Sequence, residues 1–154
     1  MGSTGPGAGK ETDREAQALS ILFLDACIVI YRLEGEAPIA ARVDEVLSRL
    51  QRDHRDAQMA VSDLSRLECR VLPLRLGRSE LVSTYDRFFA APSLTVVPLS
   101  RVVVDLATVI RARSGLRTAD ALQAASCLSL GQPARFITSD HVFRRETALD
   151  VVLV

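Results

Sequence analysis

Short apolar runs alternate along the chain with longer stretches in which apolar residues recur at helical spacing. Leu19 to Leu24 reads as a buried strand, Ala26 to Leu33 as a short helix before Gly35, and Pro38 to Asp53 as an amphipathic helix with proline in its first turn. A second strand covers Ala57 to Val61. Ser62 is then placed to cap a helix whose buried face carries Leu64, Leu67 and Val71, closed by Gly77. Ser79 to Ala90 predicts another helix, and Leu94 to Val97 a strand between two prolines. Ser100 to Arg113 predicts a helix with Val103, Ala107 and Ile110 facing inward, ended by Gly115. Thr118 is positioned to cap a helix from Ala119 to Leu130, which Gly131 and Pro133 stop. Arg135 to Thr138 and Val151 to Val154 are the last strands.

Strands that alternate with helices imply right-handed crossovers and a parallel sheet. The expected architecture is α/β, a three-layer arrangement of four to five parallel strands with helices on both faces. At 154 residues and 48% hydrophobic composition the chain can close one core. Residues 1–17 are Gly, Ser, Thr and charge and read as a flexible leader, which leaves residues 18–154 as a single domain. Gly9-Lys10 in that leader lacks the glycine spacing, the Ser/Thr and the preceding strand of a phosphate-binding loop.

Charge narrows the choice of partners. Lys+Arg and Asp+Glu are 19 each, so there is no overall basic field and any nucleic-acid contact must be local. Lys10 is the only lysine; the other basic residues are arginines, which meet phosphate bidentately. Cys27, Cys69 and Cys127 are odd in number, have no CxxC spacing and sit in apolar stretches, as buried thiols in a reducing compartment do. No apolar run is long enough to cross a membrane and no export signal stands out, so a cytoplasmic protein without membrane contact is expected.

The candidate chemistry is acidic. Ligands of open parallel sheets collect beyond the carboxyl ends of the strands. Asp25 directly follows the first strand, and Asp140 follows Thr138 by one residue. Asp120 lies in the first turn of a helix. Glu68 sits one helical turn after Leu64, on the side expected to bury apolar residues, and there it needs a partner. Taken singly, Asp120 reads equally as a first-turn acid on the helix dipole, Asp140 as an Asx turn or cap, and Glu68 as a surface ion-pair partner. The set of four says more. Two carboxylates about 4 Å apart repel by roughly 4 kcal/mol at an effective dielectric near 20, so converging acids must take up protons or a cation. Carboxylates without histidine or thiolate support select hard Mg²⁺ or Mn²⁺, and such an ion suits phosphodiester hydrolysis.

Leu22-Phe23-Leu24-Asp25-Ala26-Cys27, Ser62 to Glu68, Thr118-Ala119-Asp120-Ala121 with Ala124-Ala125, and Thr138-Ser139-Asp140 with Phe143 occur in an order that resembles the PIN domain, and within it the VapC-type ribonuclease toxins. The resemblance runs from Leu19 to Val154. It implies a PIN-like fold, a Mg²⁺- or Mn²⁺-dependent endoribonuclease acting on RNA, and a homodimer inhibited by a VapB-like antitoxin. It also implies that Asp25, Glu68, Asp120 and Asp140 are both the metal ligands and the catalytic acids, with the Thr138 hydroxyl supporting a ligand or the attacking water. Family members carry small polar residues after the first Asp. Here Ala26 and Cys27 stand there, and no hydroxyl from that turn is expected to orient Asp25.

Arg111, Arg113 and Arg117 flank the approach to Asp120, and Arg144 and Arg145 follow Asp140, so they are candidates for holding RNA phosphates as well as for an ordinary solvated face. His141 adjoins Asp140, but it and His54 lack metal-ligand spacing. Tyr85, Phe88 and Phe89 are read as packing a core or a dimer face. A haloacid-dehalogenase-type phosphatase needs an acid where Cys27 stands, a receiver domain needs a lysine near the last strand, and a dinucleotide fold needs a glycine-rich first turn. The remaining rival is a degenerate PIN module that binds RNA or protein without catalysis.

Overall fold

Ile21–Leu24 is buried on both faces because it forms the middle strand, β1, of a five-stranded sheet. The computed structural model describes residues 18–154; the leader expected at residues 1–17, with its Gly9-Lys10, lies outside them. After β1 come α1 (Ala26–Glu34), α2 (Ala37–Asp53), β2 (Gln58–Ser62), α3 (Asp63–Arg75), α4 (Ser79–Phe89) and β3 (Leu94–Val97). The second half contains α5 (Arg101–Ser114), α6 (Thr118–Ser129), β4 (Ala134–Thr138), a short 3-10 helix (His141–Arg145) and β5 (Val151–Leu153). The strand order is β3-β2-β1-β4-β5 and every pairing is parallel. The chain steps from β1 outward to β3 and then returns to β4 on the other flank of β1. The order therefore reverses between β1 and β4, whose registers pair Leu24 with Ile137, and a crevice opens at such a reversal.

The alternation of side chains along β1 divides the core between two layers. Ile21 and Phe23 pack with Ile110, Leu116, Ala124 and Phe136 under α5 and α6. Leu22 and Leu24 pack with Ile28, Val43, Leu47 and Tyr85 under α1, α2 and α4. Phe23 stacks on Phe136 at 5.5 Å between ring centroids, and Phe136 meets Phe143 at 4.6 Å, which ties the 3-10 helix to the sheet. Helix α5 forms as its pattern predicts. Ser100 Oγ accepts the Val103 N–H, Val103, Ala107 and Ile110 are buried, and Gly115 closes the helix at φ 71°, a conformation glycine adopts without strain.

Two local expectations are corrected. Helix α6 begins at Thr118 itself, with Arg117 in the cap position and no side-chain cap bond, so Thr118 is not the cap. Helix α3 is capped by Ser62 as expected, yet it is rotated from its predicted face. Its buried residues are Ser65, Cys69 and Pro73, whereas Leu67 is 60% exposed and Val71 46%. The cause is close packing. Cys69 Sγ lies 3.9 Å from the Ala26 carbonyl, Gln123 Nε2 donates to Ser65 Oγ at 2.9 Å, and Ser126 Oγ donates to Ser62 Oγ at 3.0 Å. Leucines on that face would hold α3 away from α1 and α6. Among the described residues no helix is long and apolar enough to cross a membrane.

Candidate functional site

The reversal between β1 and β4 fixes Asp25 first. Its backbone N–H continues the ladder to Ile137 O at 3.0 Å, and its extended backbone turns directly into α1. Asp25 Oδ1 accepts the Ala26 N–H at 2.8 Å. Oδ2 accepts the Thr138 hydroxyl at 2.7 Å and the Cys27 thiol at 3.4 Å. Thr138 Oγ1 in turn accepts the Asp140 N–H at 3.1 Å, so one buried hydroxyl at the end of β4 joins the two acidic segments. Burial pushes the Asp25 carboxyl above its ordinary pKa, the three donors hold it down, and the charge of Asp120 raises it further. The turn supplies no hydroxyl to Asp25, but the Cys27 thiol stands in its place as a donor. Burial and then the Asp25 charge push the Cys27 pKa up, which keeps it a donor, and the Ser139 hydroxyl donates to its sulfur at 3.4 Å.

The other acids lie on neighbouring elements. Asp120, in the first turn of α6, is raised first by burial and then by the charge of Asp140, against the opposing effect of Arg117. Asp140 is exposed, and its Oδ1 accepts the Val142 N–H at 2.9 Å to cap the 3-10 helix. That cap also fulfils the structural reading of Asp140, and the second oxygen is left for other work. Glu68 is half-buried on α3. Burial raises its pKa, the charges of Asp25 and then Asp120 add to the rise, and the polar Gln123 side chain opposes it. Glu68 Oε1 is buried without a partner.

Neighbouring charge thus helps raise the pKa of three of these acids: Asp25 and Asp120 act on Glu68, Asp120 acts on Asp25, and Asp140 acts on Asp120. Among the described residues, however, no three Asp, Glu, His or Cys side chains are gathered closely enough to hold an ion between them. The donor set still suits a hard cation. It is all oxygen, three of its members are pushed toward protonation, and one buried oxygen lacks a donor.

The model of the PIN domain matches residues 22–147 of this sequence. This chain belongs to the PIN domain family. No curated protein matches the sequence. Among solved structures, the VapBC2 complex of Rickettsia felis bound to a DNA fragment from its promoter is similar at TM-score 0.69 and 16% identity, covering 86% of this chain and 98% of that one. A toxin–antitoxin complex from Klebsiella pneumoniae is similar at TM-score 0.63 and 19% identity, covering 86% of this chain and 96% of that one. At these identities the likeness is one of fold.

Around the acids of this PIN domain the arginines divide into two groups. Arg117 and Arg145 line a cavity of about 370 Å³ together with Asp120, Asp140, Gly115 and Val142. Arg113 is committed elsewhere, to the fully buried Glu146, with Nε donating to Oε2 at 3.1 Å and a second donor on Oε1. Arg111 donates to the Leu116 carbonyl at 2.6 Å and braces the loop before α6. Arg144 and His141 are exposed and line no part of that cavity. A larger cavity of about 710 Å³ lies at the opposite, amino-terminal edge of the sheet, against Leu19, Pro133, Ala134 and Asp150, and contains none of the four acids. Tyr85 and Phe89 are buried and Phe88 half-buried in the core beneath α4. Sequence reasoning passed over Gln123 and Ser65. The available signal was a lone amide one turn after Asp120 among Ala121, Ala124 and Ala125.

Proposed function

We propose that this PIN-domain chain is a Mg²⁺- or Mn²⁺-dependent endoribonuclease and the toxin of a VapBC-type toxin–antitoxin pair. The observation that carries this reading is the Thr138 hydroxyl that joins Asp25 to the Asp140 segment at the strand-order reversal, with Asp120 and Asp140 lining one cavity beside it. The raised pKa values of Asp25, Glu68 and Asp120 mean that their charged forms destabilise the site unless something positive compensates them, and such acids in a cleft are candidates for chemistry. In this proposal those four acids hold the ion and are the catalytic set. Bound there, the ion supplies charge that neutralises the phosphodiester and activates water for in-line attack.

The remaining work falls to the chain. Thr138 and Cys27 fix the Asp25 carboxylate in one orientation, and Thr138 holds the Asp140 backbone beside it. Arg117 and Arg145 bracket the cavity next to Asp120 and Asp140, where they bind phosphates on either side of the bond to be cut. A local pair of arginines provides the positive field that a chain of zero net charge lacks as a whole.

The fold likeness to two toxin–antitoxin complexes supports a small VapB-like antitoxin as partner. The outward apolar residues Leu67, Val71 and Leu74 on α3 and Val102 and Val109 on α5 support a homodimer. We place the protein in the cytoplasm, in keeping with its three free cysteines. Incubating the purified protein with total RNA in Mg²⁺ or Mn²⁺, beside an EDTA control and metal add-back, tests the activity. Discrete cuts that disappear with EDTA and return with metal are expected. RNA that is bound but left intact under every metal condition would move the reading to a PIN module that binds without catalysis.

A further inference from the structure

The contact between α3 and α6 is polar where a core contact is ordinarily apolar. Gln123 is 1% exposed and Ser65 fully buried, and their side chains meet at 2.9 Å. The Gln123 side chain also lies close enough to the Glu68 carboxyl to work against the rise in its pKa. Two buried oxygens in this contact, Gln123 Oε1 and Glu68 Oε1, have no donor. Leaving a buried acceptor unsatisfied is costly, and an apolar pair of the same shape would fill this contact at lower cost. Helical spacing explains the arrangement: Gln123 follows Asp120 by three residues on α6, and Ser65 precedes Glu68 by three on α3. The amide–hydroxyl pair therefore lies one helical turn from each acid and ties together the two helices that carry them.

We propose that Gln123 is a positioning residue of the acidic site: anchored on Ser65, its carboxamide orients Glu68 and holds that acid against the Asp120 helix so that the two can bind one divalent cation. The proposal rests on the metal-dependent reading of the site. Its geometric content is independent of turnover, since it concerns how well the site binds an ion. The serine hydroxyl both donates and accepts, so the amide can turn either its NH₂ or its carbonyl to the Glu68 side. With the NH₂ turned to Glu68, the hydroxyl donates to Gln123 Oε1 and the amide to the Glu68 carboxyl; with the NH₂ on Ser65, as in the structure, both oxygens lack a donor and a cation, or water bound to it, can satisfy them.

Mn²⁺ binding tests this, measured by isothermal titration on the wild-type protein, Gln123→Met and Ser65→Ala, with the Tm of each recorded without metal. Gln123→Met keeps the length of the side chain and removes both polar ends. A loss of about 10- to 100-fold in Mn²⁺ affinity is expected for Gln123→Met, the range seen when a group supporting a metal ligand is removed. A smaller loss is expected for Ser65→Ala, which leaves the amide but frees it to turn. If Gln123→Met does not fold, Ser65→Ala with Gln123→Glu carries the test, since the glutamate keeps the shape and puts a fifth negative charge in place of the amide. Wild-type Mn²⁺ affinity in these folded variants, whatever their Tm, would show the contact to be packing alone and overturn the proposal. If the wild-type protein itself binds no Mn²⁺, the metal-dependent function fails and this inference fails with it; the two failures are thus distinguished.

Discussion

The Thr138 hydroxyl makes two contacts, as donor to Asp25 Oδ2 and as acceptor for the Asp140 N–H. Thr138→Val preserves the shape and removes both, so cleavage should fall about 10- to 100-fold while Thr138→Ser stays near the wild-type rate. Single-turnover rates on one RNA check this, and a valine variant as fast as wild type would contradict it. The places of Asp25, Asp120 and Asp140 were legible in the sequence, because a strand end or a helix first turn fixes where each lies, whereas Glu68 was placed from a leucine face that points outward and is half-buried next to Cys69 instead. What surrounds them was less legible. Arg113 looked free for phosphate because its partner Glu146 is 33 residues away and no spacing rule joins them. Cys27 looked like the loss of a hydroxyl, yet its thiol donates to Asp25. Gln123 acquires its meaning only from Ser65, 58 residues distant.

At the scale of elements, helices with one apolar stripe were read well. In α5 the inward residues Val103, Ala107 and Ile110 are those the pattern selects. Helix α3 defeated the pattern because it carries two stripes, a small one of Ser65, Cys69 and Pro73 that packs closely and a large one that faces outward. Periodicity favours the larger residues, whereas close helix packing selects the smaller ones. The two faces should answer differently to substitution. Cys69→Leu forces volume into the close contact and should cost about 1–3 kcal/mol in urea unfolding. Leu67→Glu together with Leu74→Glu should preserve the fold and shift the proposed homodimer to monomer in sedimentation. A double variant that remains a dimer would exclude this face of α3 as the interface.

At the scale of the whole molecule, the sheet class followed from the alternation of elements, whereas the strand order follows from pairings between distant segments, such as β1 with β4. That order brings the acids to one edge, and the charge they create acts on the stability of the entire domain. The folded state raises the pKa of Asp25, Glu68 and Asp120 above their ordinary values and so binds more protons than the unfolded chain between the ordinary and the raised values. Their influence on stability is therefore most favourable below the ordinary values and is lost as pH rises through the raised ones. Glu68→Gln removes one of these charges. Without metal, its Tm should match that of wild type below pH 4.5, the ordinary value for this acid. At neutral pH its Tm should be higher by about 2–4 °C, a modest shift because the group is partly solvated. Mn²⁺ should stabilise wild type and leave the variant little changed. Thermal scans across pH with and without Mn²⁺ check the sign; a variant less stable than wild type at neutral pH without metal would contradict it.

Whether these acids form a nuclease site is decided by comparing wild type with Asp25→Asn on total RNA in Mn²⁺, after any bound antitoxin has been stripped away. A nuclease site gives discrete cuts by wild type and a loss of at least about a hundredfold in Asp25→Asn, with the variant still folded and still binding RNA through Arg117 and Arg145. Equal cleavage by the two proteins would contradict the assignment of Asp25, and equal inertness of both would contradict the claim of catalysis itself.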